Sequence, residues 1–497
     1  MNNAILLLVI PLIAVFIIPL GTVFAKGFGR YLSMSAFLVS GLYGIYIFPA
    51  VLSEPASVVV GNWRPPFGIN LYISAFSLGI VILIYFSAFL VMLKDIQDKR
   101  KNGQYYLLYT LFVMAAAGTV LTGDLFNLFV FLEIGGIASF SLIAAGPDKI
   151  GSTGALRYLI QAQIASLAML AGIALVYSAS GVLNIAVLSE FAAFNPAFAF
   201  LSLVLITFPF LLEAKIFPLN TWVGGAYKGA DYSFAASMSG IGAAAAGAVM
   251  LRIMLTMINP QSAFSSAAVN MKVLVIVLGG LTAIIGEGAA FSEKNFKKVL
   301  AYSSIGQMGI IMVGIGIATK DALTGVLFLI LNHTAAKMLL FSIAGLFSKV
   351  SGKEEWKDMK GIGRSYPLSA GLFVLGAMAL FGIPMFSGFW GKYFILKTAF
   401  ASGGIAAAGA AAILIGTIFE GVYFMKIGHT FFEADGAEVK VLRRPFTGVQ
   451  AVILAAVLLA AGLFPSLISS WTGASVQELL DPIGGYVNII LKAGGAM

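Results

Sequence analysis

About fourteen runs of roughly twenty apolar residues recur along the chain, and each is long enough to cross the ~30 Å hydrocarbon core of a bilayer as a helix. They fall near 4–25, 31–52, 71–93, 104–122, 124–146, 155–178, 197–216, 233–258, 271–291, 299–319, 321–348, 367–399, 403–428 and 447–471. Charge is scarce between them: 10% of residues are Asp, Glu, Lys or Arg, against about a quarter in a soluble protein, and 60% are hydrophobic. The fold expected is an all-α polytopic membrane protein. The first run has no basic segment before it and is long enough to span, so it reads as a helix and not as a signal peptide. One stretch, SEPASVVVGNWRPPFGIN at 53–70, breaks the pattern with a β-branched run, a Gly-Asn turn and a Pro-Pro pair, and reads as an extramembrane hairpin.

The basic residues test this count independently. The odd-numbered loops hold Lys26 and Arg30; Lys94, Lys99, Arg100 and Lys101; Lys149; Lys228; Lys294, Lys297 and Lys298; Lys349, Lys353, Lys357, Lys360 and Arg364; and Lys440, Arg443 and Arg444. The even-numbered loops hold Arg64, Lys320 and little else. A wrong count would scramble this alternation. By the positive-inside rule the odd loops are cytoplasmic and both termini extracytoplasmic. The net charge of +9 is therefore a topology signal and not a nucleic-acid footprint. With no Cys and only His333 and His429, the chain offers no disulfide, thiolate metal site, cysteine-bound iron–sulfur cluster or multi-His metal site, and no cofactor is expected.

A carboxylate, Glu133, stands in the middle of GDLFNLFVFLEIGGIASFSLIAAG. It lies nine residues beyond Asp124, roughly 14 Å deep and close to the bilayer midplane. A charge there costs roughly 2.5–3.5 kcal/mol on insertion scales, and such residues by default belong to ion or proton paths. The alternative is a protonated Glu hydrogen-bonded to a neighbouring helix. Asp124, Glu213, Glu287 and Glu420 are also flanked by apolar residues and either join such a path or cap helix ends at the interface. Lys297 and Lys298 read as loop charges.

Two spans are interrupted, at FPFLLEAKIFPLNTW (208–222) and GIPMFSGFWGK (382–392), each with Pro and a Lys. Broken helices at membrane depth must line a cavity or pack against protein, and paired breaks point to repeated architecture. The breaks fall in the seventh and twelfth spans, which suits two five-helix units, spans 4–8 and 9–13, the second inverted because the number is odd. The chain then divides into 1–103, three helices with the hairpin at 53–70; 104–258, the first repeat; 271–428, the second; and 447–497, a last helix with a C-terminal segment expected at the interface or against a neighbouring subunit.

Six of these stretches, in order, resemble the antiporter-like subunits shared by complex I and the Mrp cation/proton antiporters, the Mrp D-type above all. GNWRPPFGINLYIS is similar to the family's tryptophan–proline hairpin, FLEIGGIASFSLIA to its glutamate helix and EAKIFPLNTW to its broken seventh helix. EKNFKKVLAYSSIGQMGIIMVGIG resembles its tenth helix with the basic loop before it, LNHTAAKMLLFSIAG its His/Lys helix, and GIPMFSGFWGKYFILK its broken twelfth.

The resemblance implies a hydrated row of ionisable groups along the midplane. Glu133 and Lys215 would be the coupling pair of the first half, His333 and Lys337 the connecting groups, and Lys392 the terminal group. The spacing of His333 and Lys337 places them on one helix face. A relay lysine must release its proton near neutral pH although its ordinary pKa is about 10.4, so its surroundings have to favour the neutral form. A mobile glutamate beside it makes a two-state switch. The other reading of Lys215 and Lys392 is that they snorkel to the interface.

The sequence also departs from the family. The lysine usual in the eighth helix is missing from SGIGAAAAGAVMLR, leaving water or Arg252 in its stead, and two customary histidines stand as Asn220 and Gln307.

The function implied is proton, or sodium/proton, translocation by one subunit among other membrane subunits, in the cell membrane of a prokaryote. A secondary carrier of a small organic solute would share the broken helices but needs polar recognition groups around one pocket. A membrane redox enzyme would need metal or nucleotide motifs that this sequence lacks. Its glycine strings, such as GGIAAAG, read as close helix packing.

Overall fold

The computed structural model describes residues 2–490 other than 26, 62, 64–66, 97, 99–100, 147–149, 192, 435–441 and 443. Lys26, Arg64, Lys99, Arg100, Lys149, Lys440 and Arg443 of the charge pattern, and the end of the C-terminal segment, lie outside the described residues.

Thirteen continuous helices are long and apolar enough to cross a membrane among the described residues, and a fourteenth crossing is made of two arms. In chain order they are α1 (Leu6–Phe24), α2 (Phe28–Ser53), α3 (Ala75–Asp95), α4 (Gly103–Leu121), α5 (Leu125–Ala144), α6 (Ile150–Ser180) and α7 (Pro196–Glu213). After them come α8 (Tyr232–Met257), α9 (Ala268–Ser292), α10 (Phe296–Ile317), α11 (Lys320–Ser351), α12 (arms Pro367–Phe381 and Ser387–Ser402), α13 (Gly404–Phe432) and α14 (Pro445–Leu463). A final helix, α15 (Ser469–Leu480), follows. Each of the fourteen apolar runs corresponds to one of these helices or to the pair of arms, and the chain is an integral membrane protein.

The ends of these helices are written in short polar residues. Asn102, Asp124, Asn195, Asn295 and Thr319 each accept a hydrogen bond from a backbone N–H of the first turn they precede. Ser74 and Ser77 form a reciprocal capping box at the start of α3. That cap explains why α3 begins at Ala75 and not at the 71 expected from hydropathy. Asn70–Ile73, which ends in an aromatic and a β-branched residue, is instead strand β2, antiparallel to β1 (Ala56–Val59) with Val58 opposite Leu71. The expected hairpin is thus present, and β2 is its inner strand.

Burial sorts the helices into a centre and a rim. In α8 and α11 94% of the apolar window is buried, and in α10 89%, whereas α5 keeps 28% and α1, α2, α6, α9 and α13 between 33% and 39%. The middle three therefore form a packed wall through the molecule, and the others face what surrounds it. At 32 residues α11 is about 48 Å long, well beyond the ~30 Å core, so it spans with length to spare.

Three irregularities sit on this wall. The first arm of α7 stops at Glu213, Lys215 takes a left-handed φ of 63°, and the helix resumes at Val223. The first arm of α12 stops at Phe381, followed by Gly382 at φ 89°, where an L side chain would be strained. The third was not legible in hydropathy: α8 opens into a π turn over Met238–Gly242.

The C-terminal segment packs on its own chain. Trp471 donates its indole N–H to Ala75 O, and the ring of Tyr486 meets that of Tyr72 at a tilt, with centroids 4.5 Å apart. One face of the segment, up to Ile490, is buried against the hairpin end of α3, while the opposite face of α15 is exposed.

Candidate functional site

The lysine at each helix break is tied to the carbonyl that the break leaves open. Lys215 Nζ donates to Glu213 O (3.3 Å), and Lys392 Nζ donates to Phe381 O (3.1 Å), each being the last residue of a first arm. A helix C-terminus carries partial negative charge and unpaired carbonyls, so a buried ammonium is stabilised there. With 1% and 6% exposure, neither lysine snorkels. A break in α12 would also strand Ala379 O; Asn332 of α11 donates to it (3.1 Å) and is itself held by Ser387 (2.9 Å).

The π turn of α8 joins the first break to α11. Such a turn widens the coil and directs carbonyl oxygens outward. Met238 O accepts from Lys215 Nζ (3.4 Å), Ser239 O from His333 Nε2 (3.0 Å) and Gly240 O from the Thr334 hydroxyl (3.3 Å). Because a carbonyl can only accept, Nε2 carries the imidazole hydrogen, which leaves Nδ1 as a buried lone pair with no partner among the described residues. One turn along α11, Lys337 Nζ donates to Leu300 O (3.2 Å). Glu287, Glu420 and Lys215 are the charges that act on it.

Beyond Lys337 the groups are paired. Tyr423 donates to Glu287 Oε2 (2.8 Å), while Glu287 Oε1 is buried without a partner among the described residues. Glu420 is fully buried and receives Lys392 Nζ on one oxygen (2.8 Å) and Gln307 Nε2 on the other (2.7 Å). Room for Glu287 comes from Gly306: a Cβ there would lie 2.2 Å from Glu287 Oε1.

On the other side of Lys215, Tyr158 donates to Glu213 Oε1 (2.6 Å), and Gln163 donates to Glu133 Oε2 (3.1 Å). Glu133 is half-buried on the rim helix α5. The carboxylate that acts on Lys215 is Glu213, two residues away, and not the expected Glu133.

Four of the five residues expected from the sequence are brought together: Lys215 and His333 donate to neighbouring α8 carbonyls, Lys337 follows His333 one turn along α11, and Lys392 is joined to Lys337 through Glu287 and Glu420, whereas Glu133 meets Gln163 on the rim. Glu213, Glu287 and Glu420 lie among these groups, whereas Asp124 caps α5 through Asn127 N (2.8 Å). The roles of Tyr158, Gln163 and Tyr423 had no sequence signal beyond a polar residue in an apolar run, whereas Gln307 was marked only by standing where the family has a customary histidine.

Two further expectations change. Lys297 is no loop charge: it is buried in the first turn of α10 and donates to Lys228 O (3.1 Å) and Ala230 O (2.7 Å), closing the second arm of α7. Arg252 does not replace the missing lysine. It lies thirteen residues beyond Ser239, about 20 Å along α8, and donates to Val120 O (2.6 Å) at the end of α4.

At the end of the molecule opposite the hairpin, a polar vestibule of about 440 Å³ is lined by Asp95, Asp231, Lys297, Ser342 and Lys353 among others. Beside it Lys101 bridges Asp95 (2.5 Å) and Asp231 (3.1 Å). Burial alone would lower the Lys101 pKa, but the Asp231 and Asp95 carboxylates outweigh it and hold it raised. The Asp231 carboxyl is held low although burial opposes this, Lys101 being its strongest support.

A family model described as NADH:quinone oxidoreductase/Mrp antiporter, TM, matches residues 122–419, more than half the chain, and includes Glu133, Lys215, His333, Lys337 and Lys392. The chain belongs to this family. The D-type Na(+)/H(+) antiporter subunit of Alkalihalophilus pseudofirmus is 30% identical, over 99% of this chain and 100% of its own. The N-type NADH-quinone oxidoreductase subunit of Desulforudis audaxviator is 30% identical over 85% of each. Among solved structures, a chain of the membrane-bound sulfane sulfur reductase, an archaeal respiratory membrane complex, superposes with a TM-score of 0.92 at 29% identity, over 99% of this chain and 100% of that one. A chain of the Mrp complex from Dietzia sp. shares the fold with a TM-score of 0.89 at 23% identity, over 98% and 99%. The family is that named by the sequence resemblance, and its members span both antiporters and respiratory complexes.

Proposed function

We propose that this chain is a proton-translocating, or sodium/proton-translocating, membrane subunit of a multi-subunit assembly, either a cation/proton antiporter or an energy-converting respiratory complex. One observation carries the reading. A succession of ionisable groups, most of them buried, runs through both helix breaks from Glu213 by Lys215, His333, Lys337, Glu287 and Glu420 to Lys392, with Glu133 half-buried on the rim helix α5. Burying so many charges is costly, and no packing role needs them in a row. The relatives support it: subunits of this length and fold are named for antiporters and respiratory complexes. A solute carrier finds no matching observation here, because the polar groups are strung along a line and not gathered around one pocket.

In this reading the vestibule is the cytoplasmic mouth and the hairpin face is extracytoplasmic, with both termini on that side, as the Lys/Arg alternation requires. The assembly sits in the cell membrane of a prokaryote. Helices α4–α8 and α9–α13 are the two inverted repeats, each with its lysine at the break of its fourth helix. Glu133→Gln, nearly isosteric but unable to ionise, tests the proposal in the reconstituted complex. Coupled ion flux should fall at least tenfold with assembly intact, and wild-type flux would return Glu133 to a packing role.

A further inference from the structure

The succession of groups described above has a branch. A cavity of about 50 Å³ lies between α4, α5, α6, α7 and α8, with Glu213, Tyr158 and Ser139 at one end and Thr119 at the other. A second, of about 10 Å³, lies further along α4 and α8, lined by Thr119, Thr122, Ala248 and Arg252. Thr119 belongs to both. A site needs about 10–15 Å³ to hold one water, so the first has room for a few waters and the second for about one. The wall between them is the small-residue stretch of α8, Ala245 and Ala246 on the first cavity and Ala248 on the second. The Thr119 hydroxyl donates to Ala116 O (2.8 Å), which leaves its oxygen open to accept.

Beyond the second cavity lies a polar cluster. Arg252 Nη2, Tyr72 OH, Tyr486 OH and Glu478 Oε2 are all buried without a hydrogen bond of good geometry among the described residues, although the Tyr72 hydroxyl and the Glu478 carboxylate interact with each other. The rings of Tyr72 and Tyr486 lie 5.6 and 5.9 Å from the guanidinium carbon. Glu478, from α15, and Asp124 are the nearby carboxylates that share a field with Arg252 and Tyr486. An unpartnered buried polar atom costs about 1–3 kcal/mol, and such atoms in one place are relieved together by bridging water. With both carboxylates ionised the cluster carries one net negative charge (+1 − 2 = −1), so the fixed charge of Arg252 does not bar a proton.

We propose that the first half of the molecule has its own outlet to the hairpin face, a water-filled passage from Glu213 past Thr119 to Arg252, with Glu478 as the proton-accepting group at its mouth. Burial pushes the Glu478 carboxyl up to about 7, with Arg252 opposing, which matches a group that takes and releases a proton near neutral pH. The inference rests on the translocation reading for what moves, but the passage itself is a matter of hydration and is tested without transport.

The chain has no cysteine, so single cysteines at Thr119, Ala248 and Leu251 can be followed by peptide mass spectrometry in the intact complex in oriented liposomes. Ag⁺ added at the hairpin face should protect Thr119→Cys and Ala248→Cys from later alkylation at least tenfold faster than Leu251→Cys, which lies in the dry core of α8. Equal rates would overturn the passage. If these variants do not assemble, radiolytic hydroxyl labelling of the wild-type complex asks the same question: Leu128 and Ile253, on the second cavity, should oxidise more than Leu251, and equal oxidation overturns it. Glu478→Gln should cut flux at least fivefold with Thr119→Cys still protected, and unchanged flux would remove Glu478 from the mouth. A passage open to Ag⁺ in a wild-type complex that moves no ion would leave this inference standing and sink the translocation reading instead.

Discussion

Replacing Gly306 with alanine sets two effects of known size against each other. In an exposed helix the change would gain about 1 kcal/mol of helix propensity. In α10 the new Cβ would lie 2.2 Å from Glu287 Oε1 and 2.5 Å from its Cδ and Cγ, far inside contact distance. Overpacking of this kind costs about 1–3 kcal/mol. The carboxylate must swing away, and the 2.8 Å hydrogen bond from Tyr423 goes with it, about 1.5–3 kcal/mol more if Glu287 is charged. The net is a loss of about 2–5 kcal/mol, and the group joining Lys337 to Glu420 leaves its place. Thermal inactivation of the purified complex should shift to lower temperature, and ion flux in proteoliposomes should fall at least tenfold. Gly288→Ala is the control, since a Cβ there meets nothing within 4 Å, and it should be neutral or slightly stabilising. A Gly306→Ala complex as stable as wild type with full flux would refute the placement of Glu287 in the path.

Three other outcomes are expected. Cysteines at Gly352 and Gln261 should be labelled by an impermeant reagent from opposite sides of the membrane; labelling from one side would undo the topology. Lys101→Met takes the shared cation from buried Asp95 and part-buried Asp231 and leaves them only Lys94 (3.7 Å from Asp95), which should lower stability and show as poorer assembly, while Lys101→Arg should largely restore it. The Glu478 carboxyl sits at about 7 in the folded protein against an ordinary 4.5. Folding therefore favours its protonated form, so docking of α15 is strongest below about pH 4.5 and weakens by about 2–3 kcal/mol as pH rises to 7, then levels. Hydrogen exchange over Ser469–Leu480, corrected for its intrinsic pH dependence, should be faster at pH 8 than at pH 5, and Glu478→Gln should abolish the difference.

Most of the fold was legible because membrane helices are specified by one-dimensional quantities: run length, hydropathy and the alternation of Lys and Arg. Both breaks were visible as Pro and Lys within apolar runs. The start of α3 was misplaced because NLYIS is as apolar as a helix, and the Ser74–Ser77 box that decides the matter is a pair of ordinary serines. The π turn of α8 has no signature in a string of Gly, Ala and Ser, so the carbonyls that receive Lys215 and His333 could not be read. Partner choice was the least legible. Glu133 is conspicuous by its depth, but only packing shows that Glu213 is the acid at Lys215 and that Glu420 is the acid at Lys392. Lys297 followed other loop charges in sequence and was read with them, although α10 begins one residue earlier.

The central claim is that the midplane succession of ionisable groups carries the ion, and Lys337 is its middle. Its Nζ makes one hydrogen bond, to Leu300 O, and its side chain is fully buried. Lys337→Met keeps the volume and forfeits about 1 kcal/mol, so the complex should assemble as wild type. Ion flux measured in proteoliposomes of that complex should be lost at least tenfold. Wild-type flux through a correctly assembled Lys337→Met complex would contradict the account.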